Sequence, residues 1–282
     1  MHLYSIDTGL FKLDGGAMFG VVPKSIWHKT NPSDENNMID LAMRCLLVED
    51  GNRLILIDNG IGNKQDDKFL GHYYLHGEAS LKSSLNKLGF DVADITDMVL
   101  SHLHFDHCGG SIEWNDDRTT FRTAFPNATY WIHEEHWNEA NHPNQREKAS
   151  FLKENILPIQ ESGQLKLIQN NEQIHPDISL ITSNGHTRSM MHPHIKWRDK
   201  TVVFMADMIP TMSHIPIPYV MGYDVRPLDT MQEKTSFLKE AAEKEYTSFC
   251  NTMRLMKPAR LPKRRKEFVR GKWLSWRICD AS

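Results

Sequence analysis

The chain has 282 residues, of which 40% are hydrophobic, 24% charged and 9% aromatic, a globular composition that excludes disordered and collagen-like chains. Its formal charge of −3 gives no global reason to bind nucleic acid. No apolar run of about 18 residues occurs, so no membrane span is expected.

Met1–Lys12 lacks a basic stretch followed by an apolar one, so no secretory leader is expected there. Short apolar runs predict strands at His2–Ser5, Met43–Val48, Arg53–Ile57, Met98–Ser101, Thr129–Ile132, Leu165–Ile168, Ser179–Thr182, Thr201–Met205 and Glu245–Phe249. Helical patterns predict Ala79–Lys87, Glu134–Asn141, Gln145–Asn155 and Thr230–Lys244. Glu49-Asp50-Gly51-Asn52 joins the second and third strands as a hairpin turn. Hairpins interspersed with helices point to a layered α/β or α+β domain. The four cysteines, Cys45, Cys108, Cys250 and Cys279, are far apart and form no CxxC pair. That excludes a cysteine zinc site or disulfide framework and fits a reducing cytoplasm.

Histidine is the compositional anomaly: 15 are present, mostly between His102 and His214, and histidine is the commonest metal ligand. The densest stretch is Ser101-His102-Leu103-His104-Phe105-Asp106-His107-Cys108-Gly109-Gly110. In an extended segment His102 and His104 share one side. Gly109-Gly110 frees the backbone for a turn that can aim Asp106 and His107 at a second point nearby. This is a donor set for two adjacent metals, and burying it without metal would be costly. Further along, Gly185-His186-Thr187 and Asp207 each follow a predicted strand.

The motif His102-x-His104-x-Asp106-His107 resembles HxHxDH of the metallo-β-lactamase superfamily, and the likeness in order and spacing runs over residues 1–249. Asp14–Lys24, with Trp27 after it, is similar to the N-terminal signature of the quorum-quenching lactonase-like branch. The resemblance implies a single-domain αββα sandwich with metals at its edge. His102, His104 and His186 would hold one metal, Asp106 and His107 a second, and Asp207 would bridge them. The cofactors implied are two divalent ions, zinc first, with manganese or iron compatible with the ligand types. Hydrolysis would use a hydroxide shared by the two metals, with Asp106 orienting it or returning a proton. The substrate would be a small molecule, a lactone or ester such as an acyl-homoserine lactone. The alternatives are a phosphotriester or phosphodiester, or metal binding without turnover.

Two departures from the family pattern bear on this. The lactonase relatives often carry a tyrosine three residues after the bridging aspartate, and here that position is Pro210. The superfamily also supplies a late His-Asp after a final strand, yet no histidine follows His214, which would leave the second metal weakly held. The basic stretch starts at the same place: residues 254–282 carry ten Lys/Arg against two acids. Two readings stand. Residues 250–282 are a genuine basic tail, or the reading frame changes near Phe249. TTT TGC AAC ACG ATG CGG encodes Phe-Cys-Asn-Thr-Met-Arg, and two bases later it reads Leu-Gln-His-Asp-Ala. The run Lys263-Arg264-Arg265-Lys266 can attract phosphates, but residues 1–253 are acidic and no nucleic-acid partner is expected.

The remaining candidates are less specific. Met18, Phe19, Phe105, His214 and Tyr223 are the candidate substrate contacts. His133-Glu134-Glu135-His136 is not HExxH and reads as a polar helix start. His192 and His194 read as surface residues beside a strand, and His2, His28, His72, His76, His142 and His175 carry no assigned role. No oligomeric state is assigned.

Overall fold

The computed structural model describes residues 1–169 and 172–252; the basic stretch from Arg254 and Cys279 lie outside the described residues. The first sheet has six strands in the order β1 (His2–Asp14), β2 (Met38–Asp50), β3 (Arg53–Ile57), β4 (Asp97–Val99), β7 (Thr129–His133) and β8 (Leu165–Ile168). The second has four in the order β12 (Thr247–Phe249), β11 (Lys200–Phe204), β10 (Met190–Trp197) and β9 (Ile178–Ser183). A separate hairpin is formed by β5 (Ile112–Trp114) and β6 (Phe121–Thr123). The helices are α1 (Gly15–Phe19), α2 (Lys24–Trp27), α3 (Asp67–Gly71), α4 (Leu81–Lys87), α5 (Phe105–Cys108), α6 (Glu134–Asn141), α7 (Lys153–Glu161) and α8 (Pro227–Glu243).

Alternation along the strands explains the layers. Leu46 and Val48 of β2, Ile55 and Ile57 of β3, and Val99 of β4 share one apolar cluster with Met190, Met191, Val202 and Phe204 of the second sheet. Their neighbours Cys45, Leu47, Leu56 and Met98 point the other way, into a cluster with Leu85 of α4, Trp137 of α6 and Ile156 of α7. A period of two therefore divides each strand between two cores. On the far side of the second sheet His194 packs against Phe237 of α8. The result is helices, sheet, sheet and helix in four layers, the expected αββα sandwich.

Several elements differ from the sequence reading. β1 and β2 run longer than expected, and a bulge between Asp7 and Leu10 holds Gly9 at φ +123. β10 was not expected because Pro193 interrupts its pattern. Pro193 pairs with Leu180 of β9, while the β11 ladder begins only at His194, so its missing N–H disrupts nothing. His192 and His194 lie on this strand and are buried, not at the surface. The helix expected over Gln145–Asn155 begins instead at Lys153. Before it, the Asn144 side chain accepts from the amides of Arg146 and Glu147 and folds a turn.

Candidate metal centre

Loops from both sheets meet at one edge of the sandwich. Just beyond β4, Ser101 donates its amide and its hydroxyl to Asp58, each at 2.8 Å. Asp58 sits just past β3 at φ +58, and it accepts there because its own amide is held by the Val99 carbonyl. This lock fixes the start of the histidine motif. The chain then turns into α5, which carries Asp106 and His107.

The expected role of the two glycines is corrected by the structure. Gly109 has φ −60, and neither it nor Gly110 is among the positive-φ residues. They are needed for close packing: a Cβ on Gly109 would strike the Ile61 carbonyl, and one on Gly110 the Asn59 carbonyl.

His102, His104 and His186 form one group of three donors, and His102, His107 and Asp207 another, with the donor atoms of each within 4.8 Å of one another. All five residues are buried. The Asp207 carboxylate lies between the two groups: one oxygen is 3.2 Å from His107 Nε2 and the other 3.4 Å from His186 Nε2. Asp106 approaches His107 Nε2 at 3.7 Å. His186 Nε2 and His104 Nδ1 are 3.1 Å apart. His102 Nε2, His107 Nε2 and Asp207 Oδ1 are buried without a hydrogen-bond partner.

Carboxylates and a hydroxyl hold the outward nitrogens. His107 Nδ1 contacts Asp58 at 2.8 Å, His186 Nδ1 contacts Asp224 at 2.9 Å, and His102 Nδ1 contacts the Ser101 hydroxyl at 3.1 Å. Glu147 lies 3.7 Å from His104 Nε2. His136, read from sequence as part of a polar helix start, is buried on α6. It accepts from the Leu103 amide at 2.8 Å and contacts the Arg188 carbonyl at 2.7 Å. A neutral ring thereby ties the His102–His104 loop to the His186 loop.

The electrostatics divide the donor rings: burial lowers His102 and His104, whereas at His107 and His186 neighbouring carboxylates outweigh burial and raise the pKa. Burial, then the neighbouring His107 and His104, holds the His102 pKa well below its usual value; burial also lowers His104 and pushes His136 to about 3. Such rings stay neutral and keep a lone pair. Burial also opposes charge on His107, but Asp207 and Asp106 override it and raise its pKa well above normal. Burial raises Asp106. It would raise Asp207 too, yet the attraction of His107 and His186 leaves that carboxyl lowered.

The candidate substrate contacts divide. Phe105 lies at the edge of the centre, its ring 4.7 Å from Tyr73 and 5.3 Å from Phe69. Tyr223 is partly exposed at 37%, and its pKa is raised by burial and then by Asp106. Met18 and Phe19 are instead core residues, buried because they pack with Trp27, Ile39 and Leu41. His214 is buried as well and stacks on Phe19 at 4.5 Å. Its two nitrogens engage Met18 O and Thr211 Oγ1, each at 2.8 Å. These three are packed in the interior, as is Phe105 of the same cluster, whereas Tyr223 is the most exposed of the five.

Sequence reasoning missed Asp58, Asp224, Glu147 and His136. Asp58 carried a signal, an acid at the end of an apolar strand. The other three come from loops and a helix that only the tertiary fold brings to the centre.

A family model described as the Metallo-beta-lactamase superfamily matches residues 42–252, ending just before the basic stretch. An N-acyl homoserine lactonase from Bacillus sp is 26% identical over 160 residues, covering 53% of this chain and 56% of that protein. The match thus spans little more than half of that relative's length. Among solved structures, a probable metal-dependent hydrolase from Staphylococcus aureus superposes with a TM-score of 0.83 at 28% identity, over 89% of this chain and 88% of that one. AidC, a dizinc quorum-quenching lactonase in complex with a product, gives 0.71 at 23% identity over 89% and 86%, a likeness of fold.

Proposed function

Because the chain belongs to the metallo-beta-lactamase superfamily, we propose that it is a hydrolase that uses two divalent metal ions to open a lactone or ester. The observation that carries this reading is the Asp207 carboxylate, set between His107 and His186 at 3.2 and 3.4 Å beside buried nitrogens that have no proton partner. An unpartnered buried polar atom costs about 1–3 kcal/mol, and several together fit a site built for cations. His102, His104 and His186 would hold one ion, Asp106 and His107 the other, with Asp207 on both. Imidazole donors suit zinc, while manganese and iron are compatible with the carboxylates. When bound, such a pair lowers the pKa of a water and polarises the scissile bond.

The chain's own residues supply the rest. Asp58 and Asp224 fix the ring orientations of His107 and His186. Asp106, whose pKa burial raises, is suited to take a proton and return it to the leaving group. Tyr223 keeps its phenolic proton at neutral pH and can donate to the substrate carbonyl oxygen. That offers a phenol where the tyrosine expected after Asp207 is replaced by Pro210. Phe69 and Tyr73, half-buried and packed on the buried Phe105, are the aromatic rings nearest the motif that can meet an apolar group.

The lactonase relatives make acyl-homoserine lactones the first substrates to try. Among the described residues, no helix is long and apolar enough to cross a membrane. The test is a panel of an acyl-homoserine lactone, an aryl ester and an aryl phosphotriester, with metal content measured on the same sample. The expected result is lactone or ester turnover that is lost on chelation and in His186→Ala. Turnover of the phosphotriester alone would replace the reading with a phosphotriesterase, and bound metal without turnover would replace it with a metal-binding protein. Intact mass also separates the two C-terminal readings: a mass matching all 282 residues makes the basic segment genuine, and another mass supports the frame change.

A further inference from the structure

The corner that closes the centre is built by the residues after the last strand. β12 runs parallel to β11, with Phe249 opposite Phe204. The chain then crosses from the second sheet to the first: the amides of Arg44 and Ala42 donate to the carbonyls of Asn251 and Thr252, both at 3.0 Å. The Thr252 hydroxyl donates to the Pro210 carbonyl at 2.5 Å, which ties this crossing to the loop that carries Asp207. Asn251 is 3% exposed, and its side-chain oxygen has no hydrogen-bond partner. It lines a cavity of about 10 Å³ together with Arg44, Asp58, Asp106, His107 and Thr252, the size of a single water, and the Arg44 side chain is engaged by Asp7.

We propose that Asn251 is the last protein ligand of the second metal position, its amide oxygen joining Asp106, His107 and Asp207. The inference rests on the two-metal reading above and on the C-terminal segment being genuine, so that residue 251 is asparagine, and it adds a consequence to them. One position has three imidazole nitrogens besides the shared carboxylate. The other, once His102 is given to the first, has three oxygens and one nitrogen. Carboxylate and carbonyl oxygens suit harder ions such as manganese or magnesium, whereas imidazole suits zinc. The centre is therefore a mixed one, with zinc on the histidine side and a harder divalent ion on the Asn251 side.

The experiment uses the full chain, stripped with chelator and titrated with zinc and manganese. Mass spectrometry counts the ions, and electron paramagnetic resonance follows bound manganese. The expected result is one zinc and one manganese per chain when both ions are offered. Asn251→Ala should weaken manganese binding about tenfold or more and leave the zinc count unchanged. Asn251→Asp, close in shape and adding a charge, should tighten manganese. Asn251→His should convert the second position so that two zinc ions bind. Unaltered manganese affinity in both Asn251→Ala and Asn251→Asp overturns the assignment, as does tight binding of two zinc ions by the unaltered chain. Failure of the underlying reading looks different: a chain with native circular dichroism that holds no zinc, or whose zinc survives His104→Ala.

Discussion

His186 and His107 are each oriented by a buried carboxylate, at 2.9 Å from Asp224 and 2.8 Å from Asp58, but the corners they belong to end differently. The His102, His104 and His186 corner is assembled from two loops that neutral His136 ties together. The Asp106, His107 and Asp207 corner is closed by Asn251, whose side-chain oxygen has no partner. Both corners share Asp207. What separates them is how completely each donor is fixed before a metal arrives, and hence how strongly each should hold one.

The largest effect should come from breaking the first corner outright. His186→Ala removes a donor and leaves Asp224 buried without its partner, so zinc on that side and all turnover should be lost, as metal counting and the substrate panel would read. If the zinc count stays at the unaltered value, the two corners are not distinct sites. The next effect is on stability. Lys234 of α8 is fully buried and donates to the carbonyls of Pro216, Ile217 and Tyr219, at 3.1, 3.4 and 2.7 Å. It pins the loop that leads to Asp224. Lys234→Met leaves those carbonyls without their donor and should cost about 2–4 kcal/mol in chemical denaturation. Its effect on metal should fall on the first corner, because Asp224 serves His186.

The carboxylates give a finer discrimination. Asp58 touches Ser101, which contacts His102, and also His107, so Asp58→Asn should weaken both metals by about 10–100-fold. Asp224→Asn should weaken only the zinc side by a similar factor. Competition with a chromophoric chelator measures both. Equal loss from the two positions in Asp224→Asn would erase the proposed difference.

How much of this was legible depended on how local the signal was. The candidate donors His102, His104, Asp106 and His107 lie in one short segment, and His186 and Asp207 each follow an apolar strand, so period and strand ends pointed to the residues that the fold brings together. Strands β3 and β8 matched the pattern because their flanks are polar and their runs uninterrupted. β10 did not, because Pro193 masks a strand whose β11 ladder has not begun at that residue. His136 and Glu147 gave no local sign, since an ordinary helix and turn carry them and only packing brings them to the motif. Met18, Phe19 and His214 are buried where contacts open to a substrate were expected, because Met18 and Phe19 pack with Trp27, Ile39 and Leu41 and His214 stacks on Phe19 and engages Met18 O.

The smallest effect concerns acid, and it should leave the two corners equal. His194 lies on β10 away from the donors, packed against Phe237 and Tyr246. Burial lowers its pKa to about 4, against about 6.5 in an unfolded chain. Between those values the unfolded state binds the extra proton, so stability rises with pH across that window. The contribution is complete above about pH 6.5 and falls away as the pH drops towards 4. At pH 5 the loss should be about 2 kcal/mol relative to pH 7. His194→Leu removes a buried Nε2 that has no partner and keeps apolar contact with the two rings, so it should flatten this part of the curve by about one proton's share, while His136, His192 and His214, which burial also lowers, keep the rest. Denaturation of the metal-free protein at pH 5 and pH 7 measures it. An unchanged slope in His194→Leu would place the acid sensitivity elsewhere. A flattened slope would let acid loss of metal, measured separately at each position, be assigned to the corners themselves.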